Sequence, residues 1–326
     1  MGWAIAFAYK FLLFLKGEFG LVLTGLAITF ALYVALYLSS RRTSGPRSLH
    51  GLAHYLFPVE VFRQARIDFF VYFIGKLAWG PVIAKVLAFF AFEATALNLL
   101  NVLFGEHVLS PANSWLVLPA QFLVFYLVSN FAFYWAHRAM HQNRLLWSVH
   151  RPHHSAEALT FLTGSRLHPI DAVGTALWTT LWSGSAAAAL SYLTGVAMHP
   201  LFPAIMSFWL ILTDVVDKFQ HSHLRTSLGP LNYIVPSGEM HQIHHSAELK
   251  HRDKNFGNAS SVFDWMFGTI YIPKPEETIR LGLSEQELGA QNPHKRIIDI
   301  YTEPFAYAWH VLRGRKMADS TASETA

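Results

Sequence analysis

The 326-residue sequence contains no cysteine. That absence excludes disulfides, cysteine zinc sites, thiolate-ligated haem and cysteine-held iron–sulfur clusters. Charge is scarce too. Asp, Glu, Lys and Arg make up 14% of the chain against 52% hydrophobic residues. The net charge of +4 is modest, and no concentrated basic stripe occurs. Nucleic acid is therefore excluded as a partner, and anionic lipid headgroups fit better. Neither common Gly-rich phosphate loop is found. Carboxylates are not placed as in soluble di-iron proteins, which use Glu-x-x-His pairs. Here Glu157 follows His153 and His154 instead of preceding a histidine by three.

What the chain has is histidine, 18 in all. One eight-residue pattern occurs twice, as His150-Arg151-Pro152-His153-His154-Ser155-Ala156-Glu157 and as His241-Gln242-Ile243-His244-His245-Ser246-Ala247-Glu248, with six of eight positions identical. His137 and His141 lie just upstream. Histidine is the commonest side chain for transition metals, and eight imidazoles exceed what one four-coordinate structural zinc can use. A site for more than one redox metal is expected. Residues i, i+3 and i+4 share a helix face about 5–6 Å apart, so each cluster converges if its segment is helical. Pro152 suits the first turn of a helix, which predicts a helix start there, with His150 just outside it or in its first turn.

Long uncharged runs place this site at a membrane. About 20 apolar residues span the hydrocarbon core. Phe19–Ser40, Ser114–Ala136 and Ala172–Met198 carry no charge over 22, 23 and 27 residues. Weaker candidates are Phe69–Phe104, interrupted by Lys76, Lys85 and Glu93, and Leu201–Thr213, which is short, holds Pro203 and can continue as helix through Asp214 and Asp217 to His221. The expectation is an all-α integral membrane protein, a bundle of four to five transmembrane helices with a histidine-rich helical cap. Two crossings between the second and third clusters return the chain to one face, so all three clusters can meet. Arg138, Arg144, Arg151, Arg166, Lys218, Arg225, Lys250, Arg252 and Lys254 lie on that side, which marks it as cytoplasmic. Arg41, Arg42 and Arg47 fit the same side if Phe69–Phe104 crosses an odd number of times. The apolar stretch Met1–Leu15 lacks a cleavage site and is not read as a removed signal peptide. Gly257–Tyr271 is expected to return to the metal region, Lys274–Arg296 to form a polar helix and loop, and Ala318–Ala326 to be disordered. The whole reads as one membrane domain over 1–326, with N-terminal helices in 1–113, the histidine-motif region in 114–272 and a cytosolic C-terminal segment in 273–326.

At this point the chain resembles the membrane fatty acid hydroxylase and sterol desaturase superfamily, whose signature is HxxxH, HxxHH and a second HxxHH. These are His137–His141, His150–His154 and His241–His245. Flanking residues agree: Tyr134-Trp135-Ala136-His137-Arg138, Leu146-Trp147, Arg166-Leu167-His168-Pro169, Asn255-Phe256-Gly257 and Phe263-Asp264-Trp265-Met266-Phe267-Gly268-Thr269. The similarity covers roughly Asn130–Ile272. It is specific for the superfamily and not for a substrate.

The resemblance implies a di-iron centre held by His137, His141, His150, His153, His154, His241, His244 and His245. It also implies one further ligand between the two HxxHH motifs, where His221 and His223 are the candidates. His221 is favoured because Asp214, Asp217 and His221 share a helix face and a carboxylate can orient a ligand ring. His223, His168, Asp217, Glu157 and Glu248 are further ligand or orienting candidates. No residue beyond the metal centre is assigned a catalytic role. Two Fe ions are expected, with zinc a substitute on overexpression and dioxygen the co-substrate.

The implied reaction is oxygen-dependent hydroxylation of a membrane lipid, whether fatty acyl, sterol or related. The alternative is a desaturase or multi-step oxidase of a sterol or carotenoid. A metal or proton transporter would place its ligands near the bilayer midplane, whereas these clusters lie beside arginines past the end of a span. Electrons would come from a separate ferredoxin, or a b-type cytochrome with its reductase, steered by a basic face. Oligomeric state is open. The spacing also ranks two histidines, because residues two apart on a helix point about 200° from each other. Metal analysis of His221→Ala is expected to show loss of one or both metals, and His223→Ala a milder effect. The reverse ranking would mean that the segment is not a regular helix.

Overall fold

A computed structural model describes residues 20, 22–38, 49–56, 58–78, 82–111, 115–274, 276–284 and 292–314. Helices carry this structure, and no strand forms among the described residues beyond two isolated bridges, Ser110 to Val196 and Ser246 to Leu281. The helices are α1 Val22–Leu38, α2 Leu49–Leu56, α3 Val59–Ala78, α4 Val82–Phe104, α5 Val117–Gln142, α6 Arg144–His154, α7 Pro169–Thr194, α8 Phe202–Gln220, α9 Gly238–His244, α10 Val262–Met266 and α11 Ile297–Leu312. Met1–Leu15, Arg41, Arg42, Arg47, Ser114 and Ala318–Ala326 lie outside the described residues.

Two helices, Lys85–Phe104 within α4 and Val117–Gln142, are long and apolar enough to cross a membrane, and α1 is apolar but shorter. The other expected spans resolve differently. Phe69–Phe104 is divided between α3 and α4. Ala172–Met198 becomes most of α7, which Pro169 opens and Gly195, in the left-handed region at φ 65°, closes. Leu201–Thr213 is the first part of α8, which runs through Asp214 and Asp217 until His221 caps it. The expected continuation past the apolar stretch is therefore present.

α7 packs against both α4 and α5. Gly184 permits this, since a Cβ there would lie 2.6 Å from the Phe89 carbonyl oxygen of α4. Farther from the histidines, Phe89, Phe125, Ala187, Phe202 and Met206 form an apolar knot joining α4, α5, α7 and α8. Phe89 stacks on Phe202 with centroids 5.6 Å apart, and Phe125 meets Phe202 edge-on at 5.8 Å. Such aromatic pairs add about 0.5–1.5 kcal/mol each beyond area burial.

The helix start expected at Pro152 is not found. α6 begins eight residues earlier, where the Asn143 side chain accepts from the backbone N–H of Leu145 and Leu146. Pro152 sits near the C-terminal end instead. It costs little there because the helix stops two residues later and few hydrogen bonds remain to be lost. The consequence is functional: His150, His153 and His154 all ride on one helix.

Three of the nine cations read as lying on the cytoplasmic side are interior. Arg151, Arg166 and Lys218 are 0, 1 and 2% exposed. Arg166 donates to Asp68, to the Pro152 carbonyl, to Ser155 Oγ and to the His294 carbonyl. Asp68 also accepts from Thr160 and Thr163. Arg151 donates to Glu303 at 2.6 Å and lies over the Tyr307 ring. Lys218 pairs with Asp214. A buried charge survives only when paired and hydrogen-bonded, and these are. They tie α3, α6 and α11 around the loop after the second histidine cluster. α11, which docks on α6, lies between the polar Lys274–Arg296 segment and Ala318–Ala326, where no element is predicted from the sequence.

Candidate metal centre

His137 and His141 lie on the last turns of α5. His150, His153 and His154 lie on α6, His221 caps α8, and His241, His244 and His245 lie on or cap α9. All are buried except His141, which is half-buried. They form two groups. His137, His141, His150, His154 and His244 make one, and His153, His221, His241 and His245 the other; within each, the ligating atoms lie within 4.8 Å of one another. The groups abut, with His154 stacked on His245 at 4.4 Å.

The duplicated motif divides itself in a defined way. In α6 the i, i+4 pair His150/His154 serves the first group and the i+3 residue His153 serves the second. In α9 the i, i+4 pair His241/His245 serves the second group and His244 serves the first. Each helix therefore lends one histidine to the other's group. The two pairs are alike in detail, since Nε2 to Nε2 is 3.1 Å in both.

Proton placement decides whether these rings fit metal ions. His137 Nδ1 donates to the Phe256 carbonyl at 2.7 Å, His150 Nδ1 to Asp171 Oδ2 at 2.7 Å, His244 Nδ1 to the Lys254 carbonyl at 2.9 Å and His221 Nδ1 to the Asp217 carbonyl at 2.9 Å. A carbonyl or carboxylate only accepts, so each Nδ1 holds the proton and each Nε2 presents a lone pair. Yet His137 Nε2 faces His150 Nε2 at 3.1 Å, and His221 Nε2 faces His153 Nε2 at 3.1 Å and His241 Nε2 at 2.8 Å. The His137–His150 contact sets bare lone pairs against each other, and a cation accepting both removes the repulsion. His141 Nε2 and His244 Nε2 are buried with no hydrogen-bond partner at all. Metal–imidazole bonds of about 2 Å put ligand atoms of one ion up to about 4 Å apart. The short Nε2 contacts lie within that reach, and the donor set and the orphaned nitrogens fit two ions.

Burial and the neighbouring histidines hold His153, His154, His241 and His245 well below the ordinary value of 6.5. Burial brings His244 down to about 3. These five rings thus remain neutral at physiological pH, the form that binds metal.

A second layer fixes the first group. The loop after α9 carries both carbonyls that orient His244 and His137, from Lys254 and Phe256. It is held in an unusual shape, with Asp253 and Asn255 at φ 58° and 56°. Asn255 fixes it by donating to the Met240 and Tyr271 carbonyls and accepting from Tyr271 N–H. Asp264 accepts from the N–H of Phe256 and Gly257 and from Thr269 Oγ1. Gly257 is required because a Cβ there would lie 2.1 Å from the Ser260 carbonyl. Gly164 plays a similar part for the second group: a Cβ there would collide with the Asp217 carboxylate and with His221 Nδ1.

The remaining candidates separate clearly. Asp217 places Oδ1 3.3 Å from His221 Nδ1, as an orienting group would. His223 lies outside both groups, with its ring edge toward Tyr55. His168 caps α7, accepting from the Ile170 N–H, and packs on Phe305. Glu157 accepts from Asn292, and Glu248 pairs with Lys250, so neither touches a histidine of the groups. Asp171 and Gly164 were not singled out from sequence, and Lys254 and Phe256 were named only as a cation and as part of a flanking run, with no role at the centre. The available signals were the Arg166–Pro169 and Asn255–Gly257 runs that flank them.

The fold and site thus define a helical protein with two adjoining histidine groups, each able to hold a metal ion. Residues 122–269 match the family model described as Fatty acid hydroxylase. Over 154 residues it is 28% identical to the alkylglycerol monooxygenase of Xenopus tropicalis, covering 47% of this chain and 31% of the relative. Over 171 residues it is 27% identical to the ornithine lipid hydroxylase OlsE of Rhizobium tropici, covering 48% and 44%. Over 163 residues it is 28% identical to methylsterol monooxygenase 2-2 of Arabidopsis thaliana, covering 49% and 55%. The chain spans between about a third and about half the length of these relatives. No solved structure matches it significantly.

Two outcomes follow. Asn255→Ala releases the Lys254 and Phe256 carbonyls, so purified protein is expected to lose about half its bound metal, from the first group, which elemental analysis measures; unchanged content would remove the loop from the site. In metal-stripped protein the folded rings of His153, His154, His241, His244 and His245 sit below 6.5, so the unfolded state takes up protons first as pH falls. Stability is therefore lost downward from about pH 6.5, and for His244 this continues to about 3, at about 1.4 kcal/mol per pH unit per ring. Thermal unfolding midpoints measured between pH 7.5 and 5 are expected to drop, and a flat profile would contradict neutral burial.

Proposed function

We propose that this protein is an oxygen-dependent di-iron hydroxylase of a membrane lipid. The observation that carries this reading is the continuity of the two histidine groups with a cavity of about 300 Å³. His137, His150, His153, His221 and His241 form its wall at one end, and Phe125, Met206 and Trp209 line it farther along α5 and α8. A cavity of this size is within the range of small-molecule sites.

On this reading the nine histidines are the ligands. Iron suits imidazole and, unlike zinc, changes oxidation state, so when bound it would supply the activation of dioxygen. The chain's own residues do the rest. Asp171, Asp217 and the Lys254 and Phe256 carbonyls hold ring tautomers, and a loss of metal affinity of about 10- to 100-fold is expected when such partners are removed. The cavity walls aim one carbon of the substrate at the centre and limit water there. One oxygen atom enters the C–H bond and the other leaves as water, which consumes two electrons and two protons.

Those electrons are assigned to a separate acidic carrier, a ferredoxin or a b-type cytochrome. Arg144, Arg252 and Lys254 make no ion pair among the described residues and are exposed or half-exposed near the histidines, which suits electrostatic steering. The same residues support a cytoplasmic position for the histidines, with α4 and α5 in the bilayer. The names of the relatives support a lipid substrate.

Native protein is expected to hold close to two irons per chain. Cells expressing it under oxygen-18 gas are expected to accumulate a lipid carrying one label, detected by mass spectrometry. His154→Ala and His245→Ala should abolish that product. A product lighter by two hydrogens and without label would replace hydroxylation by desaturation.

A further inference from the structure

The cavity that reaches the histidines is not uniformly apolar. Three helices line it, and their direction gives a depth scale. α5 and α8 run toward the centre and end at His137 to His141 and at His221, while α7 runs away from it, starting at Asp171, the partner of His150. Asn130 and Ser129 lie seven and eight residues before His137. Thr179 and Thr180 lie eight and nine after Asp171, and Thr213 lies eight before His221. All five line the cavity. At 1.5 Å per residue each is roughly 10–13 Å from the histidines. Three helices therefore place polar side chains at one depth, a belt around the cavity, with Phe125 and Met206 beyond it.

The hydrogen bonds within the belt say what it can receive. Thr179 and Thr180 donate to the carbonyls of Thr175 and Ala176, and Thr213 donates to that of Leu210. Their hydroxyl protons are used, and their oxygens keep accepting capacity. Asn130, 8% exposed, donates to the Tyr126 carbonyl, and its side-chain oxygen accepts nothing among the described residues. Ser129 Oγ is buried with no hydrogen-bond partner. The belt thus offers several acceptors and one hydroxyl that can also donate. An alkyl chain would leave the Ser129 hydroxyl and the Asn130 oxygen unsatisfied, which costs about 1–3 kcal/mol for each such group. A carboxylate would meet mostly acceptors and be repelled. A hydroxyl both donates and accepts, and it matches.

We propose that the belt receives a hydroxyl of the lipid substrate, so that the cavity selects lipids carrying a hydroxyl roughly 10–13 Å from the carbon presented to the histidines. This rests on the cavity being the substrate channel of the proposed hydroxylase. It adds a specificity device formed by Ser129, Asn130, Thr179, Thr180 and Thr213.

Binding to the purified full chain in detergent tests it, with two probes of equal chain length: hexadecane-1,2-diol and its dimethyl ether. The diol is expected to bind about tenfold more tightly, as one or two hydrogen bonds would give. The Thr179→Val/Thr213→Val double variant keeps side-chain shape and removes both acceptors, so the ratio should fall toward one without weaker binding of the ether. Thr179→Ser/Thr213→Ser should retain the ratio. If the double valine variant is not recovered folded, each single valine variant should lower the ratio about threefold. Equal binding of diol and ether, binding of neither, or a ratio unchanged in the valine variants would overturn the inference. Because binding is read without turnover, a lost ratio alongside a labelled hydroxylated lipid refutes the belt alone. A preserved ratio with no labelled product refutes the hydroxylase reading instead.

Discussion

Nine imidazoles cannot share one dry volume in an arbitrary arrangement. Burial penalises a charged ring and the neighbours repel it, which holds His153, His154, His241, His244 and His245 below their ordinary value. Each of the nine must also have its tautomer fixed, or lone pairs and N–H groups would be distributed at random. The structure meets this constraint by anchoring Nδ1 of His137, His150, His221 and His244 on acceptors that cannot donate. The result at His137 and His150 is a pair of Nε2 lone pairs facing each other at 3.1 Å. That crowding is unfavourable for the protein alone and favourable around cations, so folding has stored a preference for metal in the position of a few protons.

Much of the remaining structure serves this arrangement. The buried ion pairs of Arg166 with Asp68 and Arg151 with Glu303 contribute little net stability once desolvation is counted. They do fix the loop after α6 and the docking of α11 in one geometry. The strained loop at Asp253–Gly257 is held by Asn255 and Asp264, and its carbonyls set two rings. Gly164 and Gly184 are empty where a neighbour must come close, Asp217 in one case and α4 in the other. These residues have no chemistry of their own, yet displacing any of them by an ångström would undo a ligand geometry.

The same logic links the centre to the cavity. α5, α7 and α8 carry a histidine or a histidine partner at one end and cavity wall along their length. A rigid helix converts residue number into depth. The position of a polar side chain on these helices is therefore a distance from the centre, and a substrate lying in the cavity would be measured against it.

Histidine spacing was sufficient to read that each cluster converges, and the run through Asp214 and Asp217 that α8 extends to His221; that a further histidine joins them came from the family resemblance, with the shared face of Asp217 and His221 favouring this ring. Local periodicity dictates the convergence and the shared face, because i, i+3 and i+4 share a helix face whatever the rest of the chain does. The absence of cysteine likewise settled which chemistries were closed. The start of α6 was misplaced because the Asn143 cap outweighs the preference of Pro152 for a first turn. The basic face was overcounted because sequence cannot reveal that Asp68 and Glu303, roughly 100 and 150 positions away from their arginines, lie beside them. Only the tertiary structure decided how the duplicated motifs divide, with His153 and His244 each crossing to the group of the other helix. That division depends on how α6 and α9 face each other, a relation between distant segments that no local pattern encodes.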